Sequence, residues 1–344
     1  MNRLIVLFLF SFLFFGCSEE QNKIPTLVAN FKGQQVTGVT VSNEGRVFAN
    51  FPRWRKGVMY SVLEVDENGS SIPYPSKEWN NWKIGMPMTD SLFIAVQSVV
   101  AFDNELYVLD TRNPLFQGVI GAPKIFVFDL TTNELKRTYP LSVGTYHPES
   151  YVNDLRVDKK NNKAYFTDSG HAGLIVLDLA SGNCKRVLDN HFSTTAEADH
   201  LTFGATEWKN TVHSDGIALD LKNDMLYFHS LTGYSLYRIP TNSLINKTNE
   251  EIEADVEFVM KTPAPDGMIV DEKGQLYLAD LEHDKIMKIN LKNHAMSTFV
   301  KGNQVKWADT FSIYNKYLYY TNSRINEAGE DVEEIEFSIY KVAL

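Results

Sequence analysis

Six polar residues recur along this 344-residue chain, each heading an apolar run: Thr37, Gln97, Asn153, Asp215, Asp266 and Asp309. Three of them are carboxylates. Brought to one place, like charges raise one another's pKa, so such a group needs a bound cation, a basic neighbour or a proton. The chemistry within its reach is capture of a metal ion or cationic ligand, or transfer of a proton by one aspartate. Other chemistries lack their residues. There is no Gly-Xaa-Ser-Xaa-Gly elbow, His-Glu-Xaa-Xaa-His pair, phosphate loop or dinucleotide fingerprint. His147, His171, His191, His200 and His213 are scattered through the middle third, and no two have a metal-ligand spacing on one strand. His213, two residues before Asp215, is the histidine expected nearest the carboxylates. Cys184, in Ser-Gly-Asn-Cys, reads as a turn-edge residue and not as a nucleophile.

The elements that position these residues are short strands. Val, Ile, Tyr and Phe alternate with other residues over five to seven positions at a time, between turns such as Asn-Glu-Gly and Lys-Asn-Asn. No long amphipathic helix is expected; Thr241 to Leu244 fits one helical turn. The strands form an internal repeat. Its units begin at Val36-Thr37-Gly38, Val96-Gln97-Ser98, Val152-Asn153-Asp154, Ser214-Asp215-Gly216, Pro265-Asp266-Gly267 and Ala308-Asp309-Thr310. Their intervals of roughly 40 to 60 residues are those of propeller blades. The expected fold is all-β: a six-bladed propeller over residues 26–344. Its last unit has Ile335 to Val342 as a third strand and no fourth, and Thr26 to Phe31 stands spare before the first. Pairing them closes the ring with strands from both chain ends and leaves no open edge. The first strand of each blade lies nearest the axis, so the six head residues should surround one opening. A β-sandwich would explain the strand density but not the repeat. The excursion from His191 to Trp208 is the longest insertion between units and is expected to line a pocket rim.

The amino terminus points outside the cytoplasm. Arg3, the apolar run from Leu4 to Phe15, and Gly16-Cys17 read as a signal peptide over residues 1–16, too short to span a bilayer. The small residue before Cys17 and the polar Ser18-Glu19-Glu20 after it resemble a bacterial lipobox. Cys17 is then expected to carry lipid, and residues 17–25 to be a tether holding the propeller at the cell envelope, on the outer membrane facing the periplasm or the surface. Removal of Cys17 to lipid leaves Cys184 alone, so no intramolecular disulfide forms. A net charge of -10 argues against nucleic acid, which requires clustered Lys and Arg. The expected partner is a small molecule, with the membrane contacted only through the lipid and the chain a monomer.

Several segments carry a family resemblance as a set: Phe51-Pro52-Arg53-Trp54, Val108-Leu109-Asp110-Thr111, Tyr151-Val152-Asn153-Asp154, Phe166-Thr167-Asp168-Ser169-Gly170 and Leu236-Tyr237-Arg238-Ile239-Pro240-Thr241. They resemble blade motifs of the major royal jelly protein/yellow family, in order from about Val39 to Asp280. The resemblance implies a six-bladed propeller. Some bacterial members are called L-dopachrome tautomerase-related, and insect members bind small ligands such as biogenic amines in the channel. A more distant similarity is to regucalcin and the gluconolactonases, whose axial divalent metal is held by a first-blade Glu, an Asn and the Asp of a Pro-Asp-Gly. Pro265-Asp266-Gly267 matches the last of these and Asp215 replaces the Asn, so this likeness implies Asp215 and Asp266 as ligands of a divalent cation such as Ca²⁺. It also places Asp154, with Asn153, at a substrate contact. The first-blade position is Thr37, with no Glu nearby, which weakens the metal.

Three functions follow: an exported binding protein for a small cationic or aromatic ligand, an enzyme (metal-dependent lactonase or tautomerase), and a scaffold for partner proteins. The missing first-blade Glu favours binding over lactonase chemistry, and the aspartates favour both over a scaffold. Fold alone decides nothing among them.

Overall fold

A computed structural model describes residues 23–344. Cys17 and the signal sequence lie outside the described residues. Six four-stranded antiparallel sheets and one two-stranded hairpin account for the strands. Blade 1 runs from Gly38–Val41 to Ser71–Pro73, blade 2 from Val96–Phe102 to Leu135–Pro140, and blade 3 from Val152–Asp158 to Cys184–Val187. Blade 4 runs from Ser214–Asp220 to Glu257–Lys261 and blade 5 from Met268–Val270 to Met296–Lys301. The first strands touch in cyclic order, that of blade 6 (Phe311–Tyr314) meeting that of blade 1. The chain is therefore a six-bladed β-propeller.

Neighbouring blades cover both faces of each sheet, so strands that would alternate in a one-sided sheet are buried throughout. Glu105–Asp110 is an example, with all its residues buried. The core is correspondingly divided into wedges between blades; Val39, Ala49 and Phe51 of blade 1, for instance, pack on Phe31, Phe337 and Ile339 of blade 6.

Blade 6 closes the ring as the unpaired ends require. Thr26–Lys32 lies antiparallel to Glu336–Ala343, with Phe31 opposite Phe337. It is the outermost strand of a sheet whose other members come from the carboxyl end. Ala29 and Phe31 turn inward while Leu27, Asn30 and Lys32 are exposed, and the Phe31 ring meets Phe51 edge-on at 4.9 Å. Pairing removes the open edge that would otherwise offer bare backbone groups to another chain.

Among the described residues, helix is confined to two short segments between the outer strands of blade 4, and to single 3-10 turns. Thr241–Asn246 extends the expected turn, and Asn249–Ala254 follows behind a Thr248/Glu251 capping box. The insertion after blade 3 contains the hairpin Leu201–Phe203 with Thr206–Trp208.

Phe31 fixes the closing strand. Phe31→Ala is expected to destabilise the folded chain by about 3 kcal/mol, the cost of emptying a buried aromatic site, measured as a shift in the urea unfolding midpoint. An unchanged midpoint would show that the strand contributes nothing to the ring.

Candidate functional site at the propeller axis

The inner strands are built to turn polar residues into the channel. In blade 2 the ladder pairs Val96 with Asp110 and then Ser98 with Leu109, so Gln97 is an extra residue. In blade 3 it passes from Val152–Asp168 to Leu155–Phe166 around Asn153 and Asp154, and in blade 4 from Ser214–Ser230 to Ile217–Phe228 around Asp215 and Gly216. Each irregularity is a β-bulge, which frees a side chain from the alternation of its strand. In blade 5 the ladder starts only at Met268 and in blade 6 only at Phe311, leaving Asp266 and Asp309 ahead of it.

Two further devices fix these heads. Asp110 and Asp168, each closing the second strand of its blade, accept backbone N–H groups from the segment entering the first strand: Ile94 and Ala95 at 2.7 and 2.8 Å, and Tyr151 at 2.9 Å. Glycine follows Asp215 and Asp266 because adjacent inner strands approach closely there. A Cβ on Gly216 would lie 2.8 Å from the Asp266 carbonyl oxygen, and one on Gly267 would lie 2.7 Å from that of Asp309.

Gln97, Asn153, Asp215, Asp266 and Asp309 line one cavity of about 810 Å³. Thr37 does not: it is fully buried, its Oγ1 accepts from Asn50 Nδ2 at 3.1 Å, and its carbonyl accepts from Thr321 Oγ1. Gln35, two residues earlier, takes the blade 1 place in the wall. Asp154 also lies outside this lining. It accepts from Ser98 Oγ and from Arg156 Nη1, both at 2.8 Å, and the Arg156 guanidinium reaches on to the Met268 carbonyl. His213 is spent internally, with Nδ1 accepting from the Ala196 N–H. The insertion does reach the cavity, through Trp208 to Val212.

The sequence reading missed the aromatic wall. Trp54, Phe116, Tyr151, Trp208 and Trp307 all line the cavity. Phe116 stacks on Trp54 at 5.7 Å and lies 4.9 Å from Tyr151, while Trp208 meets Trp307 edge-on at 4.9 Å. Tyr151 and Trp307 each stand two residues before a head residue, Asn153 and Asp309. That offset was the available signal. Trp208 ends the hairpin of the insertion already expected at a pocket rim, whereas Trp54 and Phe116 lie between strands and had no such signal.

A directed chain of hydrogen bonds runs round the cavity. Trp54 Nε1 donates to the Tyr151 hydroxyl at 2.5 Å, Tyr151 to Gln97 Oε1 at 2.7 Å, Gln97 Nε2 to Asn153 Oδ1 at 2.9 Å, and Asn153 Nδ2 to Asp215 Oδ2 at 2.7 Å. This chain of hydrogen bonds ends at Asp215; the neighbouring Asp266 accepts separately from Trp307 Nε1 at 2.7 Å. Its donors lead to Asp215 and Trp307 serves Asp266, so two neighbouring buried carboxyls must share a proton or a cation.

The electrostatics agree. Burial, and then the charges of Asp266 and Asp154, push Asp215 well above the usual carboxylate range. Asp309 is raised well above it by burial and by Asp266, Asp215 and Asp154. Asp266 is pushed up to about 7, chiefly by burial, against the opposing Trp307 hydrogen bond. Among the described residues none of the three is in an ion pair. The cluster is comfortable when it keeps protons or receives a cation.

This has a pH signature. The folded pKa of Asp266 lies above its ordinary 3.8, so the folded chain holds this proton more tightly than the unfolded chain. The linked stability is complete below about 3.8 and is lost as pH rises through about 7, at up to about 1.4 kcal/mol per pH unit. Between pH 5 and pH 8 the unliganded chain should lose more stability than Asp266→Asn, read by urea unfolding. Equal losses would contradict the shifted pKa.

The sequence profile of the major royal jelly protein family matches residues 95–344. Dopaminechrome tautomerase of Drosophila melanogaster is 25% identical over 239 residues, covering 61% of this chain and 49% of that protein. Major royal jelly protein 6 of Apis mellifera is 26% identical over 218 residues, covering 59% and 48%. The chain thus spans about half the length of these curated relatives. In structure, regucalcin of Agrobacterium tumefaciens, a calcium-binding protein, superposes with a TM-score of 0.57 over 93% of each chain at 11% identity, a likeness of fold. With more than half its residues matched by that profile, the chain belongs to the major royal jelly protein family.

Proposed function

We propose that the axial cavity binds a small organic cation bearing an aromatic ring, and that the protein does so at the cell envelope, held by lipid on Cys17. One observation carries the reading: three buried carboxyls, none in an ion pair among the described residues, line a cavity that also presents five aromatic side chains, with Arg55 and Glu330 elsewhere in its wall. A cationic group against the carboxyls supplies the missing charge, and ring faces attract both a cation and an aromatic body. The volume of about 810 Å³ suits a small molecule. A divalent ion such as Ca²⁺ would use the same oxygens, Asp215 and Asp266 first, and so would compete with an organic cation. The donor set suits a hard cation in being all oxygen. Blade 1, however, offers Gln35 and no carboxylate.

A second reading, tautomerase, is favoured by a specific feature. Asp215 holds a proton against Asp266, whose pKa of about 7 suits a group that takes and returns protons near neutrality. A relative's name, dopaminechrome tautomerase, points the same way. In this reading Asp266 accepts a proton from the bound ring system and the Asp215 carboxyl delivers one, without net oxidation. The lactonase reading has less support, since it calls for a first-blade carboxylate ligand.

Thermal unfolding of the full chain with tyramine, calcium chloride and benzoate separates these cases. Tyramine is expected to raise the melting temperature and benzoate to leave it unchanged, because only ligands of the native state shift it. Tyramine affinity should rise with pH through about 7, as protons leave the carboxyls, and fall at least tenfold in Asp266→Asn. Stabilisation by benzoate as large as by tyramine would exclude recognition of charge. For the location, Cys17→Ser should move the protein from the membrane fraction to the soluble fraction. Unchanged partition would exclude the lipid anchor.

A further inference from the structure

The histidines that showed no metal spacing in sequence meet in space. His147 lies in the segment entering blade 3, His171 in the turn between its second and third strands, and Asp189 just after its fourth. The two imidazoles stack with centroids 3.7 Å apart and planes 24° apart. Both Nε2 atoms face one carboxylate oxygen: Asp189 Oδ1 is 3.2 Å from His147 Nε2 and 3.6 Å from His171 Nε2. Ligand atoms about 2.05 Å from a tetrahedral zinc ion stand about 3.3 Å from one another. On its far side His171 Nδ1 meets Glu149 Oε1 at 2.7 Å. A proton on Nδ1 satisfies that contact and makes Nε2 an acceptor, which Asn190 Nδ2 fills at 3.0 Å and which a metal ion would take in its place. This carboxylate–imidazole pairing is the one that orients metal-bound histidines. One potential ligand atom each from His147, Glu149 and His171 lies within 4.8 Å of the others.

Arg186 pairs with the same Asp189 Oδ1 and with the buried Asp168. Three carboxylates, counting Glu149, thus face one guanidinium and two imidazoles. We infer that His147, His171 and Asp189 form a second site, for a zinc-class divalent cation, with Glu149 positioning the His171 ring. Two imidazoles with a carboxylate suit zinc or copper better than calcium or magnesium. The ligands come from three separate segments, so the ion would tie the loop that ends in Tyr151 to the body of blade 3. Gly170, next to His171, lines the axial cavity, so the two sites are neighbours without sharing a residue.

The test is equilibrium dialysis of the chelator-treated full-length chain against zinc. One zinc per chain is expected. Glu149→Gln should weaken it about tenfold, His147→Ala and His171→Ala by more, and Asp266→Asn not at all. The histidines are partly exposed and their replacement should leave the ring intact. As an independent readout, copper(II) on the parent chain should show electron-paramagnetic nitrogen coupling from two imidazoles. Failure to retain zinc, retention undiminished in the His147→Ala/His171→Ala double variant, loss in Asp266→Asn, or a copper signal with oxygen ligands alone would each overturn the proposal.

Discussion

Three carboxyl groups buried together, with no lysine or arginine among the described residues paired to any of them, are the constraint to which the rest of the axial architecture answers. Like charges in a medium from which water is largely excluded cannot all persist. The protein meets this with hydrogen-bond direction and not with a counter-ion. Donors running through blades 1 to 3 end on Asp215 and Trp307 donates to Asp266, while Asp215 and Asp309 are held well above the usual carboxylate range. Such an arrangement leaves the three carboxyls without a paired positive charge, and a cationic guest against them restores the balance by displacing protons.

The ring makes this possible because inner strands from different blades bring residues far apart in sequence to one opening. Local departures from regularity do the aiming. Bulges at Gln97, Asn153 and Asp215 detach these side chains from the alternation of their strands, and late starts to the ladders of blades 5 and 6 do the same for Asp266 and Asp309. Leu115, Phe116 and Trp307, all in the cavity wall, hold left-handed backbone conformations that non-glycine residues seldom adopt. Asn113 helps to hold this loop, donating to the Ser150 carbonyl and accepting from the Gly118 N–H. Strain of this kind persists where neighbouring structure over-determines it, and it concentrates at binding sites.

The fold was legible because it is periodic. A repeat with polar heads, and two spare strands at opposite ends of the chain, left few arrangements other than a closed ring. The site was legible only where it obeyed the same period. Gln97, Asn153, Asp215, Asp266 and Asp309 followed from their place in the repeat, whereas Thr37, read by the same rule, is a buried partner of Asn50 because blade 1 has no bulge there. Asp154 failed for a different reason: Arg156, two residues on, draws its carboxylate away from this cavity. Trp54 and Phe116 arrive on segments between strands, and the His147–His171 stack joins segments from different turns. Neither leaves a spacing in one dimension.

The central claim is that the axial carboxyls share protons at neutral pH. It is tested most directly by carbon-13 NMR titration of the unliganded chain labelled at the aspartate carboxyls, with Asp215→Asn, Asp266→Asn and Asp309→Asn used to assign the signals. Asp266 is expected to titrate near 7, and Asp215 and Asp309 to remain protonated beyond the range of ordinary carboxylates. Three axial signals that all titrate near 3.8, the ordinary aspartate value, would contradict it.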